Sequence, residues 1–522
     1  MWQGDWAKGH ADGYGTDESD WRGQYDIWDH KAGLIAENTE WFVDAEKDEG
    51  TIVYTIRQGV HWAVNPISDV SLQMNGREMT ADDVVYYLTR VITDERSYLY
   101  RTNPPLREAV ITKTGPWEVT VKVPLETLIT AIFRFGDVTK IGPPELKDSN
   151  LSDWKDVSFG TGAYITTDYV PGSTISMVRN PNYWMKNPVG PGQGDQLPYI
   201  ENVKFLIIPD ASTRMAAFRT GAIDRAQYEL DDAILMRSQV PELMEITTGE
   251  PTLPAGSPES IDLPGDVPEF SDIRVRRALF MGTDLNTINE GLYGGLGVLE
   301  SWPYQGVKGY EALRVGVNDP DCPESVKELY TYNPEKAKAL LADAGYPDGF
   351  KTKVLTLATA TDFWSIIKDQ WAKINVDLEL EVVDMGAKNS ILNQRENWYQ
   401  GVTDGGCASD SAFHTSPTLT GVPSAAANTC RIFDPRLDEW LENIRMAIVE
   451  GSTTDGIRVA REMVKYAVDQ AYAIPVPYTY KYRFWWPWVK NYTGEVTVGY
   501  YNGPNEIVFL WIDEALKKSM GY

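Results

Sequence analysis

Few residue groupings in these 522 residues could do chemistry. The four histidines, His10, His30, His61 and His414, stand far apart, and none has the His-Glu-x-x-His spacing that places two ligands on one helix face. His61, at the end of a strand-like run, reads as structural. The three cysteines, Cys322, Cys407 and Cys430, include no Cys-x-x-Cys pair, which disfavours structural zinc. A Cys407–Cys430 bridge with one free thiol, or three reduced buried cysteines, would both fit. There is no Gly-x-Ser-x-Gly elbow and no phosphate loop ending in Gly-Lys-Ser/Thr. Gly160-Thr-Gly162 lacks the third glycine and the following helix of a dinucleotide fingerprint, so it reads as a turn. The 75 carboxylates offer glycosidase-like pairs everywhere, and sequence separation says nothing of their distance in space. What stands out is aromatic: 18 Trp, 28 Tyr and 14 Phe. Many aromatics without a catalytic constellation fit a binding protein better than an enzyme.

Composition narrows the class. A net charge of −27, with no run of basic residues, disfavours nucleic acid. At 43% hydrophobic residues the chain can build a large core, and no stretch approaches 18 apolar residues. The start, Met-Trp-Gln-Gly-Asp-Trp-Ala-Lys, shows no basic region followed by an apolar one. A cytoplasmic protein or a missing or removed leader would both fit.

The elements that must position any site can be read along the chain. Residues 51–62 alternate as a strand ending at Gly59, and Thr80-Ala-Asp-Asp83 is a capping box opening a helix with Val84, Leu88 and Val91 on one face. Residues 117–123 alternate again. Residues 160–178 read as two strands joined at Pro171-Gly172. The apolar run 203–208 reads as a strand covered on both faces, followed by a helix over 210–219. Residues 249–268, with five prolines, read as a linker or long surface loop. A helix follows from Asp272. Asn333-Pro334 starts another, closed by Gly345. Strands at 351–357 and 376–383 flank a helix at 361–374, a β-α-β order that argues for an α/β region. Helices at 435–449, 455–470 and 512–519 complete the reading.

Several of these segments together resemble the family 5 extracellular solute-binding proteins of ABC transporters, the peptide/nickel-binding group. Thr51–Val60 with Thr80–Leu88 is similar to the family's strand, R-x-G-V turn and T-A-x-D-V helix. Gly160-Thr-Gly-Ala-Tyr164 followed by Arg179-Asn-Pro-Asn-Tyr-Trp184 resembles its G-T-G-P-Y and R-N-P-x-Y-W signature. Pro209–Asp224, Asp272–Leu279, Asn333–Tyr346 and Ala473–Pro477 match further stretches in the expected order. Most of these motifs read as packing elements: the Arg179–Trp184 segment as a turn, Asp272 as a helix cap. The family's chains usually begin with a G-G-T-L-R-V strand. Residues 1–30 hold no equivalent, so a chain lacking its export signal and first strand is expected.

The resemblance implies an α/β, two-lobed periplasmic-binding-protein-like fold (type II, cluster C-like) with an extra subdomain in the first lobe. Residues 1–38, 155–262 and 478–522 would form lobe I, 39–154 the inserted subdomain and 263–477 lobe II. It implies a non-enzymatic, exported component without cofactor or metal, working in the periplasm or at the cell surface. That component would capture a peptide or similar solute for ABC permease and ATPase subunits, with membrane association only through the transporter or a lipid anchor. Peptide-binding relatives hold the ligand ammonium with an Asp in a G-D-x-x-D-P segment. Asp404 in Val402–Asp410 is the matching residue, although Asp410 is followed by Ser411 rather than Pro, and a turn cap with Gly405 and Gly406 is the competing reading. Some relatives stack sugars on aromatic faces. Trp398 and Tyr399 are the first such candidates; Trp364, Trp28, Trp62 and Trp485 follow. Nickel, the other family ligand, has little support from four scattered histidines. An oligopeptide is the first expectation. An oligosaccharide ligand, a secreted hydrolase and a signalling or chaperone-like binder are the alternatives.

Overall fold

The computed structural model describes residues 1–11, 31–148, 153–247, 260–299, 302–303, 311–392, 398–404, 431–478, 482–495, 498 and 505–522. Its first sheet is built from alternation. Strand β2 (Glu49–Ile56) buries Gly50, Ile52, Tyr54 and Ile56 and leaves the intervening residues half-exposed. It lies between β1 (Ala36–Asp44) and β4 (Glu118–Pro124), with β3 (Val110–Gly115) outermost, all antiparallel. Helix α1 (Ala81–Thr93) covers the sheet with Val84, Leu88 and Ile92. Its start is the expected capping box, the Asp83 carboxylate accepting the Thr80 amide at 2.8 Å. Met1, Trp2 and Ala36 join this core.

Two three-stranded antiparallel sheets follow. One runs β5 (Tyr164–Val170), β6 (Thr174–Arg179), β7 (Asn202–Leu206), its hairpin turning at Gly172 with φ +70° as the Pro-Gly pair requires. The other places the distant β15 (Tyr482–Trp485) between β8 (Arg225–Tyr228) and β9 (Met244–Thr247). The expectation of a doubly covered strand at 203–208 is corrected here. Along β7 exposed and half-exposed residues alternate, and Leu206 and Ile207 are 44% and 45% exposed. Among the described residues the strand forms an edge of its sheet, paired with β6 alone.

The largest core gathers residues 261–476 together with Phe133. Parallel strands β11 (Phe350–Leu357) and β12 (Val376–Val383) pair in register and are joined by helix α4 (Thr361–Ala372), the β-α-β unit read from sequence. Helix α2 (Ile273–Met281) is capped by Asp272, and α3 (Pro334–Asp343) by Asn333 with Pro at its first position. Gly345 takes φ +96° just beyond α3. Helices α6 (Pro435–Glu450) and α7 (Thr453–Asp469) complete the layer. The proline-rich stretch does not continue as surface loop to residue 268: β10 (Ser260–Asp262) is fully buried, paired with β14 (Ala473–Pro475) and with β13 (Thr403–Asp404). These strands meet where the chain enters and leaves the largest core.

Candidate ligand site

The segment 398–404 is held between two sheets. The Val402 amide donates to the Lys353 carbonyl at 2.8 Å, alongside β11, and Thr403 and Asp404 pair with Asp262 and Ile261 of β10. The approach is so close at Gly401 that a Cβ would sit 2.4 Å from the Lys353 carbonyl oxygen, which only glycine tolerates. Asp404 thus lies on the crossing strands, and the turn with Gly405 and Gly406 lies outside the described residues. Beside it on β10, Asp262 is fully buried and accepts the Ser260 hydroxyl at 2.6 Å.

Asp404 already has a cation. The ammonium of Lys388, on helix α5 (Met385–Leu392), pairs directly with Oδ1, and the two side chains are only 11% and 8% exposed. Removing either partner would strand a buried charge. Nothing in the sequence flagged Lys388: it lies 16 residues away on a helix with no apolar stripe to orient it.

Trp398 is half-exposed and stacks on the exposed Phe433, ring centroids 5.7 Å apart and planes 7° from parallel. The Arg431 guanidinium lies 5.6 Å from the Trp398 ring, and its Nη1 donates to Asp266 at 3.1 Å. Burial lowers the pKa of Arg431 and raises that of Asp266, each opposed by the other's charge. Arg431 and Phe433 also escaped sequence reasoning, since they lie far from Trp398 along the chain. Tyr399 is buried, with the Lys353 ammonium 4.9 Å from its ring centroid. Burial, and then Glu381, push its phenol up.

The other sequence candidates lie elsewhere. Trp364 is fully buried in the largest core, edge-on to Phe363, so it offers no face to a ligand. Trp62 is buried in the first core and Trp485 in the core around β15. His61 Nδ1 contacts the Gly76 carbonyl at 2.9 Å. Cys322 is free and buried. Gly405, Asp410, Cys407, Cys430, Trp28, His30 and His414 lie outside the described residues. Among the described residues no three His, Cys, Asp or Glu side chains come together as a metal site, and no helix is long and apolar enough to cross a membrane.

The motifs that carried the resemblance converge. The Asn180 amide side chain donates to the Gly162 carbonyl at 2.9 Å, and the Arg57 guanidinium lies 4.5 Å from the Trp184 ring centroid. Their role is packing. A family model, bacterial extracellular solute-binding proteins, family 5, middle region, matches residues 32–416. The chain belongs to that family. Heme-binding protein A of Haemophilus influenzae is 26% identical over 58% of this chain and 54% of its own. The dipeptide-binding protein of Escherichia coli K12 is 25% identical over 66% and 62%. The chain therefore spans roughly half to three-fifths of these relatives' lengths. Among solved structures, the binding protein AgaA with agropinic acid from A. tumefaciens R10 superimposes with a TM-score of 0.70 at 19% identity, covering 95% of this chain and 93% of that one. AppA of Bacillus subtilis with a nonapeptide gives 0.70 at 18%, over 95% and 92%. These likenesses establish the α/β, two-lobed binding-protein fold.

Proposed function

We propose that this chain is the substrate-binding component of an ABC importer, which captures a solute between two lobes and delivers it to membrane permeases. Residues 1–38, 155–262 and 478–522 serve as lobe I, 39–154 as its inserted subdomain and 263–477 as lobe II, the chain working in the periplasm or at the cell surface. The observation that carries this reading, beside the family match, is the β13-β10-β14 sheet. Its strands lie where the chain enters and leaves the largest core, and Asp404 stands on one of them. Strands at such a crossing can absorb a change of lobe angle, and a ligand need only favour the closed form.

An oligopeptide is the first ligand class, with Asp404, Trp398 and Tyr399 at the site and Gly405 and Asp410 on the segment that follows. The relatives named for dipeptides and the nonapeptide complex support it. One observation favours an oligosaccharide or another ligand without an ammonium group: Lys388 already neutralises Asp404, while Trp398 and Phe433 form a stacked aromatic pair. The test is thermal shift against peptide and oligosaccharide libraries, with mass spectrometry of what co-purifies. Stabilisation without turnover supports the binder. Turnover of either library would replace it with a secreted hydrolase. Scattering with and without the bound compound should show a change in lobe angle.

A further inference from the structure

Helix α5 is held from inside by a charge. Of its 8 residues, Met385 to Leu392, only Lys388 is buried. Met385 is 53% exposed, and neither it nor Ile391 nor Leu392 joins a hydrophobic core among the described residues. A helix of about two turns does not persist in water on propensity alone. At its start the Asp384 carboxylate accepts the Ala387 amide at 3.0 Å, a cap that orders the first turn but buries nothing. What reaches inward from the helix is the Lys388 ammonium, seated on Asp404 Oδ1.

The two partners are held unequally. Asp404 is fixed on β13, paired with Ile261 of β10, and two residues earlier Val402 bonds the Lys353 carbonyl. Lys388 is a point charge on a flexible four-carbon stem, carried by a helix with no apolar anchor. A primary ammonium from outside that reaches Asp404 makes the same charge-assisted hydrogen bond. Lys388 then returns to water and regains its rotamers, and the helix regains its backbone freedom. A neutral solute cannot drive this exchange, because it would leave Asp404 buried without a cation. With the pair closed, Asp404 offers no unpaired charge to an ammonium-bearing solute; with α5 released, the same carboxylate is a cation site.

We propose that Lys388 is a built-in competitor for the ligand position at Asp404, and that α5 is the strap it fastens. A solute bearing a primary ammonium enters by exchange with Lys388 and unfastens residues 385–392, so capture is coupled to local unfolding as well as to lobe closure. The ligand's part in this rests on Asp404 lying at the proposed site; the strap itself does not.

Hydrogen exchange on the whole chain reads the strap. Lys388→Met combined with Asp404→Asn removes both charges and strands neither. Amides 388–392 should then exchange at least about tenfold faster than in the parent, with β11 and α4 unchanged, because only the local opening has become easier. In the parent, about 0.5 M n-butylammonium chloride should speed the same amides at least about threefold over sodium chloride at equal concentration, by mass action on the opened form. It should have no such effect in the double variant. Amides that stay slow in the double variant overturn the proposal, since packing would then hold the helix. Fast amides there, without a response of the parent to n-butylammonium, overturn the exchange. So do peptides that stabilise the parent without speeding these amides, an outcome that leaves the importer reading standing. Both responses without binding of any peptide would uphold the exchange and sink the peptide reading instead.

Discussion

Residues 260–478 and the sheets on either side of them treat backbone edges and buried charge differently. In the large core, β10 is paired on both sides, and β11 pairs with β12 along its length and with Val402 at one point. Some buried polar groups there have partners across the chain, while the Thr356 hydroxyl and the Trp364 indole are buried without a hydrogen-bond partner among the described residues. Arg276 donates to the carbonyls of Phe270, Ser271 and Gln470, and Asp434 accepts the hydroxyls of Tyr466 and Tyr472. Among the described residues of the amino-terminal half, β7 and β8 lie at sheet edges, and Asp137 is buried with only Lys31, 3.9 Å away, as an ion-pair partner. The difference teaches where stability and adaptability reside. The first region is a rigid wall on which a site can be built; the second keeps unfilled valences.

The largest effect should separate the two. Trp371 is fully buried, and its indole donates to the Thr283 hydroxyl at 3.0 Å. Trp371→Ala should cost about 4–5 kcal/mol in urea unfolding, by cavity and lost hydrogen bond together. Phe205→Ala, on the open edge strand, should cost no more than about 1 kcal/mol. Equal costs would erase the contrast.

Lys388→Ala should cost about 3–4 kcal/mol, because Asp404 would keep a buried, unpaired carboxylate. Adding Asp404→Asn should recover most of the loss, as a double-mutant cycle would report. A single variant as stable as the parent would mean that Asp404 reaches water, and that the crossing strands are looser than they look.

Asp137 tests the other region through pH. Burial, opposed by the Lys31 ammonium, raises its carboxyl to about 6. The folded chain therefore holds that proton more tightly than the unfolded chain does. Its contribution is fully present below the ordinary carboxylate range and is lost as pH rises to about 6, up to about 3 kcal/mol in all. Asp137→Asn should flatten that part of the stability profile between pH 4 and 6, with no further change above it. An unaltered slope would place the carboxylate in water.

Local signals in the sequence located most elements. The caps at Asp83, Asp272 and Asn333, the turns at Gly172 and Gly345 and the β-α-β unit all depend on residues within a few positions of one another, so pattern sufficed. What failed depends on pairing at long range. The apolar run 203–208 carries the composition of a covered strand, but only topology reveals that one edge stays open. Asp404 was legible by resemblance, whereas Lys388, Arg431 and Phe433 come to it and to Trp398 from elements whose placement no local pattern encodes. Trp364 sits on a helix whose buried face swallows it, and aromatic content alone could not tell it from Trp398.

The smallest effect probes how local the large core's caps are. The Asp272 carboxylate accepts the Arg274 amide at 2.8 Å at the start of α2, and the first turn of that helix carries Arg276 into its three carbonyl bonds. A cap acting alone is worth about 1 kcal/mol, so Asp272→Ala should lower stability by that amount and Asp272→Asn by less. If the loss instead approaches that of Arg276→Ala, and the two fail to add in the double variant, the cap is holding the Arg276 network in register. The rigidity of this region would then come from coupling between its ends rather than from packing alone.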